Sequence, residues 1–348
     1  MNRRRFLASA AVATMAAAAR APRITAAELV PLIKPRRLAP GDSVGLVAPA
    51  NATFESVDLD VATESLQAIG LRVRAAPHLR DRHGYLAGQD RDRAADINAF
   101  FDDPSIRAVL PIRGGWGSSR VLPYLDFDVI RHNPKILVGF SDISALLLAI
   151  HAKTGLVTFH GPNGMGRWDA FSLDYFRRML MQAESITFEN PHQLSERNVL
   201  TQTENRVMTI SGGRARGRLL GGNLTVLTTI VGSPYLPAWD EAILFCEDVG
   251  EDYYRVDRML TQLKLAGILA RLSAFVFGTC ADCGPGAASF GALTLEEIFA
   301  DHIKPLGIPA WAGATIGHGA PQWTLAEGVP VEADADRGTI RMLEPGVV

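Results

Sequence analysis

The chain has 348 residues, 47% hydrophobic and 21% charged, which suits two soluble globular domains with substantial cores. Its 35 basic side chains nearly balance 37 acidic ones, so composition sets aside nucleic acid and anionic surfaces as partners. The start of the chain stands apart: Arg3-Arg4-Arg5-Phe6-Leu7 leads into an Ala-rich apolar run ending at Ala19-Arg20-Ala21. A charged start, a short apolar run and an A-x-A end read as a secretory signal over residues 1–27, and the twin arginines fit a Tat-type address. The run is too short to span a bilayer, so no integral membrane segment is expected once the signal is removed. Cleavage after Ala21 would remove four arginines and no acid, taking the protein further from any nucleic-acid role.

The first expected strand lies in Leu38–Ala50, followed by a helix over Val61–Gly70 and a short strand over Leu71–Ala76. A helix over Arg91–Phe101 precedes a strand, Ala108–Ile112, that enters the turn Arg113-Gly114-Gly115-Trp116-Gly117. Helix-like residues then run to Leu125, a strand follows at Ile136–Phe140, and a helix at Ile143–Lys153. Strands alternating with helices imply an α/β fold with a doubly wound parallel sheet, whose ligands sit beyond the carboxyl ends of the strands. Both the glycine turn and Ser141 fall there. The polar stretch that follows, with one helix over Leu173–Met181, reads as a linker. Beyond it come short apolar runs at Arg214–Leu220, Ala242–Cys246, Ala274–Gly278 and Pro309–Ala314. One amphipathic helix lies among them, with Val256, Met259, Leu260 and Leu263 on a face and Gly267 as its stop. The expected layout is thus signal 1–27, N-terminal domain 36–165, linker 166–204 and β-rich C-terminal domain 205–345.

Several positions carry chemistry, each with a plainer reading beside it. Ser141, in Gly139-Phe140-Ser141-Asp142, sits between a strand and a helix, as a nucleophile elbow requires. The second glycine of G-x-S-x-G is missing, and a serine or aspartate helix cap would explain the residues equally. The Arg113–Gly117 turn could offer an N–H to an oxyanion, cradle a phosphate, or be a simple tight turn. Glu247 ends the strand Ala242–Cys246; it is a surface carboxylate or the acid that orients a histidine, with Asp248 and Glu251 competing. His318 lies between two glycines, and His160 has a similar claim as a base. No His/Glu pair has zincin spacing, and the single C-x-x-C, Cys280 and Cys283, lacks the second pair that tetrahedral zinc wants. Those two cysteines are left as a small disulfide or ordinary thiols.

Taken in order, the blocks resemble one family, the LD-carboxypeptidases of peptidase family S66, which includes muramoyltetrapeptide carboxypeptidases and microcin C immunity peptidases. The blocks are VAPA; YLAG ahead of RAAD; RGGWGSSRVLPYLDFD; NPKILVGFSDISALL; TFHGP; LLGGNLTVLTTIVGSPYLP; FCEDVGEDYYRVDRMLTQLKLAGIL; and GATIGHG. The resemblance covers the chain from about Leu38 to Asp334. The resemblance implies Ser141 as nucleophile, Glu247 as the orienting acid and His318 as base. It also implies oxyanion donors at the backbone of Asp142 and of the Gly114-Gly115 turn. Trp116, where the family usually has tyrosine, would reshape the pocket wall, and Cys246 stands where an aliphatic residue is common.

The resemblance further implies a Rossmann-like N-terminal domain with a smaller β-rich C-terminal one, a homodimer, and no cofactor or metal. The implied substrate is murein tetrapeptide or a related small peptide, cut at the L,D bond before the terminal D-alanine. With the signal, this places the protein outside the cytoplasm, in a periplasm, in wall turnover. Rival expectations are a microcin C immunity-type amidase of the same fold and an exported wall-peptide binding protein without activity. An α/β-hydrolase esterase is a more distant rival, since it normally keeps its triad in one domain.

Overall fold

The computed structural model describes residues 30–191, 201, 204–287, 291–319 and 321–348; the expected signal, 1–27, lies outside them. In chain order the first half contains β1 (Ser43–Val47), α1 (Ser56–Ala68), β2 (Arg72–Ala75), α2 (Asp90–Asp102), β3 (Ile106–Pro111) and α3 (Ser118–Val121). It continues with α4 (Phe127–His132), β4 (Ile136–Gly139), α5 (Ser144–Thr154), β5 (Thr158–His160), α6 (Ala170–Leu180) and β6 (Thr187–Phe188). The second half has β7 (Met208–Ser211), β8 (Arg214–Asn223), α7 (Leu224–Ile230), β9 (Ala242–Val249), α8 (Tyr253–Leu265) and β10 (Ala274–Ala281). After these come α9 (Leu295–His302), β11 (Ala310–Ala312), β12 (Leu325–Glu327), β13 (Pro330–Asp334) and β14 (Thr339–Met342). Among the described residues no helix is long and apolar enough to cross a membrane.

Two sheets organise the molecule. The first has the order β12–β5–β4–β3–β1–β2, with five parallel strands and β12 antiparallel at the edge. Its 2-1-3-4-5 core is an open doubly wound order, whose strand direction of winding switches between β1 and β3. The crevice at that switch is where the RGGWG turn emerges. The second sheet, β6–β14–β13–β8–β9–β10–β11–β7, is parallel from β8 to β11 and antiparallel at both flanks.

The strands alternate between two cores, each shared by both sheets. Val47, Val109 and Leu137 of the first sheet share one with Leu244, Cys246 and Phe277 of the second; α2, α5, α7 and α8 cover it. Leu46, Leu110 and Val138 share the other with Phe245, Val276 and Val331, under α1 and α6. This period-2 pleat is set by the chain geometry of a strand. The contact between α5 and α7, with Leu146, Leu147, Leu224 and Leu227 fully buried, joins the halves by apolar packing; each such side chain contributes about 1.5–3 kcal/mol.

Two segments depart from the expected layout. The stretch expected as a linker holds its expected helix as α6, but its described part also contains β6, which pairs with β14, and Asn190 Nδ2 donates to Gly313 O at 2.7 Å. β12, from the far end of the chain, returns to the first sheet by pairing with β5. The chain therefore weaves its two halves together.

Candidate active site

Ser141 follows β4 and opens the single turn that leads into α5. Its φ is +66°, in the left-handed region that a serine enters at a cost of about 1–2 kcal/mol. Its surroundings hold that conformation. Asn163, almost fully buried, accepts from the Phe140 N–H through Oδ1 at 3.1 Å and donates Nδ2 to Phe140 O at 3.4 Å. A Cβ on Gly139 would come within 2.7 Å of that same Oδ1. The first glycine of the elbow is therefore required by close packing, whereas Ile143 stands where a second would be.

Asp142 uses its side chain to tie the elbow to the glycine turn. Its Oδ2 accepts from the Ser118 N–H at 2.7 Å, and Ser118 Oγ donates to Asp142 O. Burial raises the Asp142 carboxyl above its ordinary range, against the opposing pull of its bonds to Ser118 and the charge of Arg93. The turn is held from two more sides. The Trp116 N–H donates to Asn51 Oδ1 at 2.9 Å, and buried Arg93 donates to Gly117 O at 3.0 Å and to Pro49 O. Gly115, at φ +115°, packs on the Asn51 side chain, and Gly114 lies against the nucleophile: a Cβ there would be 2.9 Å from Ser141 Oγ. Trp116 is 63% exposed at the rim.

The second half supplies the other two side chains. His318 Nε2 lies 3.0 Å from Ser141 Oγ, and its Nδ1 lies 2.7 Å from Glu247 Oε2, which also accepts the His318 N–H at 3.2 Å. Glu247 is fully buried, and the nearer glycine of the His318 loop serves it: Gly317, at φ +86°, passes so close that a Cβ would strike the carboxylate. Burial lowers the His318 pKa, but the Glu247 bond and the charges of Glu247 and Asp248 outweigh this, and the net shift is upward.

The pleat separates the competing acids. Odd-numbered Ile243 and Phe245 share one core and even-numbered Leu244 and Cys246 the other, so Glu247 and Asp248 leave β9 on opposite faces. Asp248 faces α7, accepting from Thr225 N–H at 2.9 Å, Thr225 Oγ1 at 3.0 Å and Asn223 Nδ2 at 3.0 Å; burial pushes its pKa up to about 6. Glu251 accepts from Thr225 Oγ1 at 3.1 Å. His160, the rival base, is wholly buried against Phe140 and Phe245, and burial pushes it down to about 4; neither ring nitrogen meets a protein partner. No hydrogen bond joins it to Ser141.

Asn223 escaped the reading of the sequence, and it joins everything. Its N–H donates to Ser144 Oγ at 3.0 Å, its Oδ1 caps α7 through the Val226 N–H at 3.0 Å, and its Nδ2 reaches Glu247 Oε1 at 3.2 Å. An asparagine just after a strand and before Leu224-Thr225-Val226 is a helix-cap signal, but nothing local points to its acidic partners. Asn163 is likewise silent in sequence, since it grips a peptide 23 residues away.

These elements enclose a cleft of about 440 Å³, walled by Arg113, Trp116, Phe140, Asn163 and Met165 of the first half and by Val249 and His318 of the second. Such an arrangement can activate a hydroxyl against an acyl carbon. Among the described residues, the His/Cys/Asp/Glu group spaced to share a cation is His78, Asp81 and Asp92, and none of these lines the cleft. Cys280 and Cys283 form a disulfide at the end of β10, while Cys246 is a buried free thiol.

Known proteins resemble the chain over most of its length. The profile of the LD-carboxypeptidase N-terminal domain matches residues 44–161, and that of the C-terminal domain matches 216–333. The chain is 38% identical over 319 residues to the probable murein peptide carboxypeptidase of Bacillus subtilis, covering 90% of this chain and 95% of that one. It is 36% identical over 281 residues to the murein tetrapeptide carboxypeptidase of Pseudomonas aeruginosa, covering 80% and 88%. The solved structure of MccF, the microcin C7 self-immunity protein of Escherichia coli, in complex with glutamyl sulfamoyl guanosine matches with a TM-score of 0.81. That match has 29% identity and covers 91% of this chain and 100% of that one.

Proposed function

The chain belongs to the LD-carboxypeptidase family, and from that premise we propose that it is a serine carboxypeptidase releasing the terminal D-alanine of a murein tetrapeptide. The observation that carries this reading is the relay Ser141 Oγ–His318 Nε2 at 3.0 Å and His318 Nδ1–Glu247 Oε2 at 2.7 Å, ending on a strained, cleft-facing serine. Ser141 Oγ attacks the carbonyl carbon of the L,D bond while His318 Nε2 takes its proton. Glu247 keeps the Nδ1 proton in place and stabilises the imidazolium. The N–H groups of Asp142 and Gly115 receive the oxyanion, each worth about 3 kcal/mol. The tetrahedral intermediate collapses, D-alanine leaves with the His318 proton on its nitrogen, and an ester joins the remaining tripeptide to Ser141. Water, activated by His318, hydrolyses that ester.

Mass spectrometry of murein tetrapeptide incubated with wild type and with Ser141→Ala tests the proposal. The expected result is loss of one alanine by the wild type alone. The likeness to MccF favours a second reading, an amidase acting on an acylated nucleotide analogue; turnover of such a compound with the tetrapeptide left intact would establish it. Tight binding of tetrapeptide without turnover, unaltered by Ser141→Ala, would instead make this a wall-peptide binding protein.

We also infer export through residues 1–27 and function as a homodimer outside the cytoplasm, from the Arg3-Arg4-Arg5-Phe6-Leu7 start and the family resemblance. N-terminal sequencing of the extracytoplasmic protein, with Arg4→Lys/Arg5→Lys as control, tests the first; sedimentation equilibrium tests the second. An intact N-terminus or a monomer would refute the respective inference.

A further inference from the structure

The proposed triad explains bond breaking at an acyl carbon. It does not explain why cleavage should be confined to a terminal residue. An exopeptidase of this direction must register the α-carboxylate, which stands one carbon beyond the nitrogen that receives the His318 proton. A cation is the strongest partner for it, because burying a carboxylate unpaired is costly.

The cleft contains one candidate. Among the described side chains that line it, Arg113 and His318 are the titratable ones, and none is an aspartate or glutamate. His318 is already engaged at both nitrogens. Arg113 is half-buried, and among the described residues no carboxylate or carbonyl holds its guanidinium, in contrast to nearby Arg93 and Arg120, which both pair with Asp90. Its position in the chain is equally specific. It is the residue before Gly114, whose Cα lies so close to the nucleophile that a Cβ would sit 2.9 Å from Ser141 Oγ. The turn that follows is fixed by Asn51, Arg93 and Asp142, so the arginine leaves a rigid base directly beside the reacting atoms.

We propose that Arg113 is the specificity-determining anchor of this cleft, its guanidinium forming a forked pair with the α-carboxylate of the departing residue. This rests on the carboxypeptidase reading above. A guanidinium fork matches a carboxylate with two parallel N–H···O bonds, a geometry that a lysine does not reproduce. The pair forms with the free acid and cannot form with a chain that continues, so internal L,D bonds are refused without any steric wall. It also fixes the scissile nitrogen relative to Ser141, although Arg113 takes no part in proton transfer.

The test compares murein tetrapeptide ending in free D-alanine with the same peptide as its C-terminal amide. kcat and KM are measured for wild type, Arg113→Gln and Arg113→Lys. Binding of both peptides is measured calorimetrically on Ser141→Ala and on Ser141→Ala/Arg113→Gln. Wild type should prefer the acid by roughly 10- to 100-fold in kcat/KM, the scale of a charge-assisted pair, mainly through KM. In Arg113→Gln the acid and amide should be handled within about threefold of each other, and Arg113→Lys should recover only part of the preference. Calorimetry should show the same acid preference on Ser141→Ala and its disappearance in the double variant. A preference that survives Arg113→Gln overturns the proposal, as does a variant that loses acid and amide equally, which would mark a structural role. If wild type cleaves neither peptide, the carboxypeptidase reading fails on its own. The binding arm then still decides: acid preference abolished by Arg113→Gln upholds the anchor, and equal binding of acid and amide ends it.

Discussion

Gly114→Ala is the sharpest perturbation of the proposed machinery, because it adds a single methyl where the two halves of the oxyanion site meet. The backbone at Gly114 is not among the positive-φ positions, so alanine is conformationally allowed. Its Cβ would lie 2.8 Å from Ser141 Cβ, 2.9 Å from Ser141 Oγ and 3.2 Å from the Asp142 N. Carbon atoms in contact prefer about 3.5–4.0 Å, so the serine would have to retreat by roughly 0.7–1.2 Å. Asn163 and Gly139 clamp the elbow backbone, so the retreat falls on the Ser141 side chain and its bond to His318. A misplacement of that size costs about 10²-fold, and covering one oxyanion donor costs about 10²–10³-fold more, not fully additively. We expect kcat to fall by about 10³-fold or more, with a stability loss of about 1–3 kcal/mol from overpacking. The assay is steady-state release of D-alanine, with thermal melting alongside. Gly284→Ala, where a Cβ meets nothing within 4 Å, serves as a control for glycine replacement. A Gly114→Ala protein that melts normally and keeps kcat within fivefold of wild type would refute the reasoning.

Other consequences can be measured on the same protein. His318 must be neutral to accept the Ser141 proton, and its pKa is raised by Glu247 and Asp248 against burial, so kcat/KM should rise with pH through a limb above the ordinary 6.5. Stability moves the opposite way: the increment from protonated His318 is complete below about 6.5 and fades as pH climbs through its raised folded value, which melting across that window should show. Glu247→Gln removes the bond and charge that do most to hold His318 up and leaves burial opposed only by the charge of Asp248, so the limb should shift to lower pH while kcat drops by about 10³–10⁴-fold; an unmoved limb contradicts the relay. Asn223→Ala strips donors from two carboxylates and the cap from α7, for an expected loss of about 3–5 kcal/mol in urea unfolding; a loss below about 1 kcal/mol would show that water replaces it. Alkylation of the native protein should leave Cys280, Cys283 and Cys246 unmodified, with Cys246 labelled on denaturation and the other two only after reduction.

The legibility of the fold followed how local each signal was. β1, β3, β4, β9 and β10 are buried on both faces and stand out as apolar runs between breakers, and α2, α5 and α8 began or ended within two residues of their expected limits. α1 starts at Ser56, five residues early, because its first turn is exposed and its N-cap makes no side-chain bond; the apolar pattern begins only at Leu59. α7 was hidden by its Thr and Val content, which reads as strand. α9 is short, yet its capping box from Thr294 to Glu297 was available. The pairing of β12 with β5 has no local signature at all, since its partner lies far away in the chain. At the site, the strand–turn–helix context left Ser141 as either a nucleophile or a helix cap, and the resemblance of whole blocks to a family chose between them. The choice between Glu247 and Asp248 depended on which face of β9 each leaves, a phase visible only once the neighbouring core is known.

That phase also explains how the fold brings three distant side chains into register. Ser141 and His318 are 177 residues apart, the first just after β4 of one sheet and the second in the loop leaving β11 of the other, so neither sheet alone sets their 3.0 Å approach. The first half fixes the serine by itself, through Gly139 and Asn163. The second fixes the histidine against Glu247 through Gly317. What remains is the placement of one pair against the other, and Asn223 sits on that joint: its backbone bonds Ser144, three residues past the nucleophile, while its side chain holds Glu247. Gly222 beside it, at φ +133°, leaves no room for a Cβ against Ser144. A closed circuit results, running Ser141–His318–Glu247–Asn223–Ser144 and back along one turn of chain. Any slip of α5 against β8 must break a buried hydrogen bond in it, each costing about 1–3 kcal/mol. The halves are therefore tied together at the reacting atoms themselves, where the chemistry tolerates docking error least.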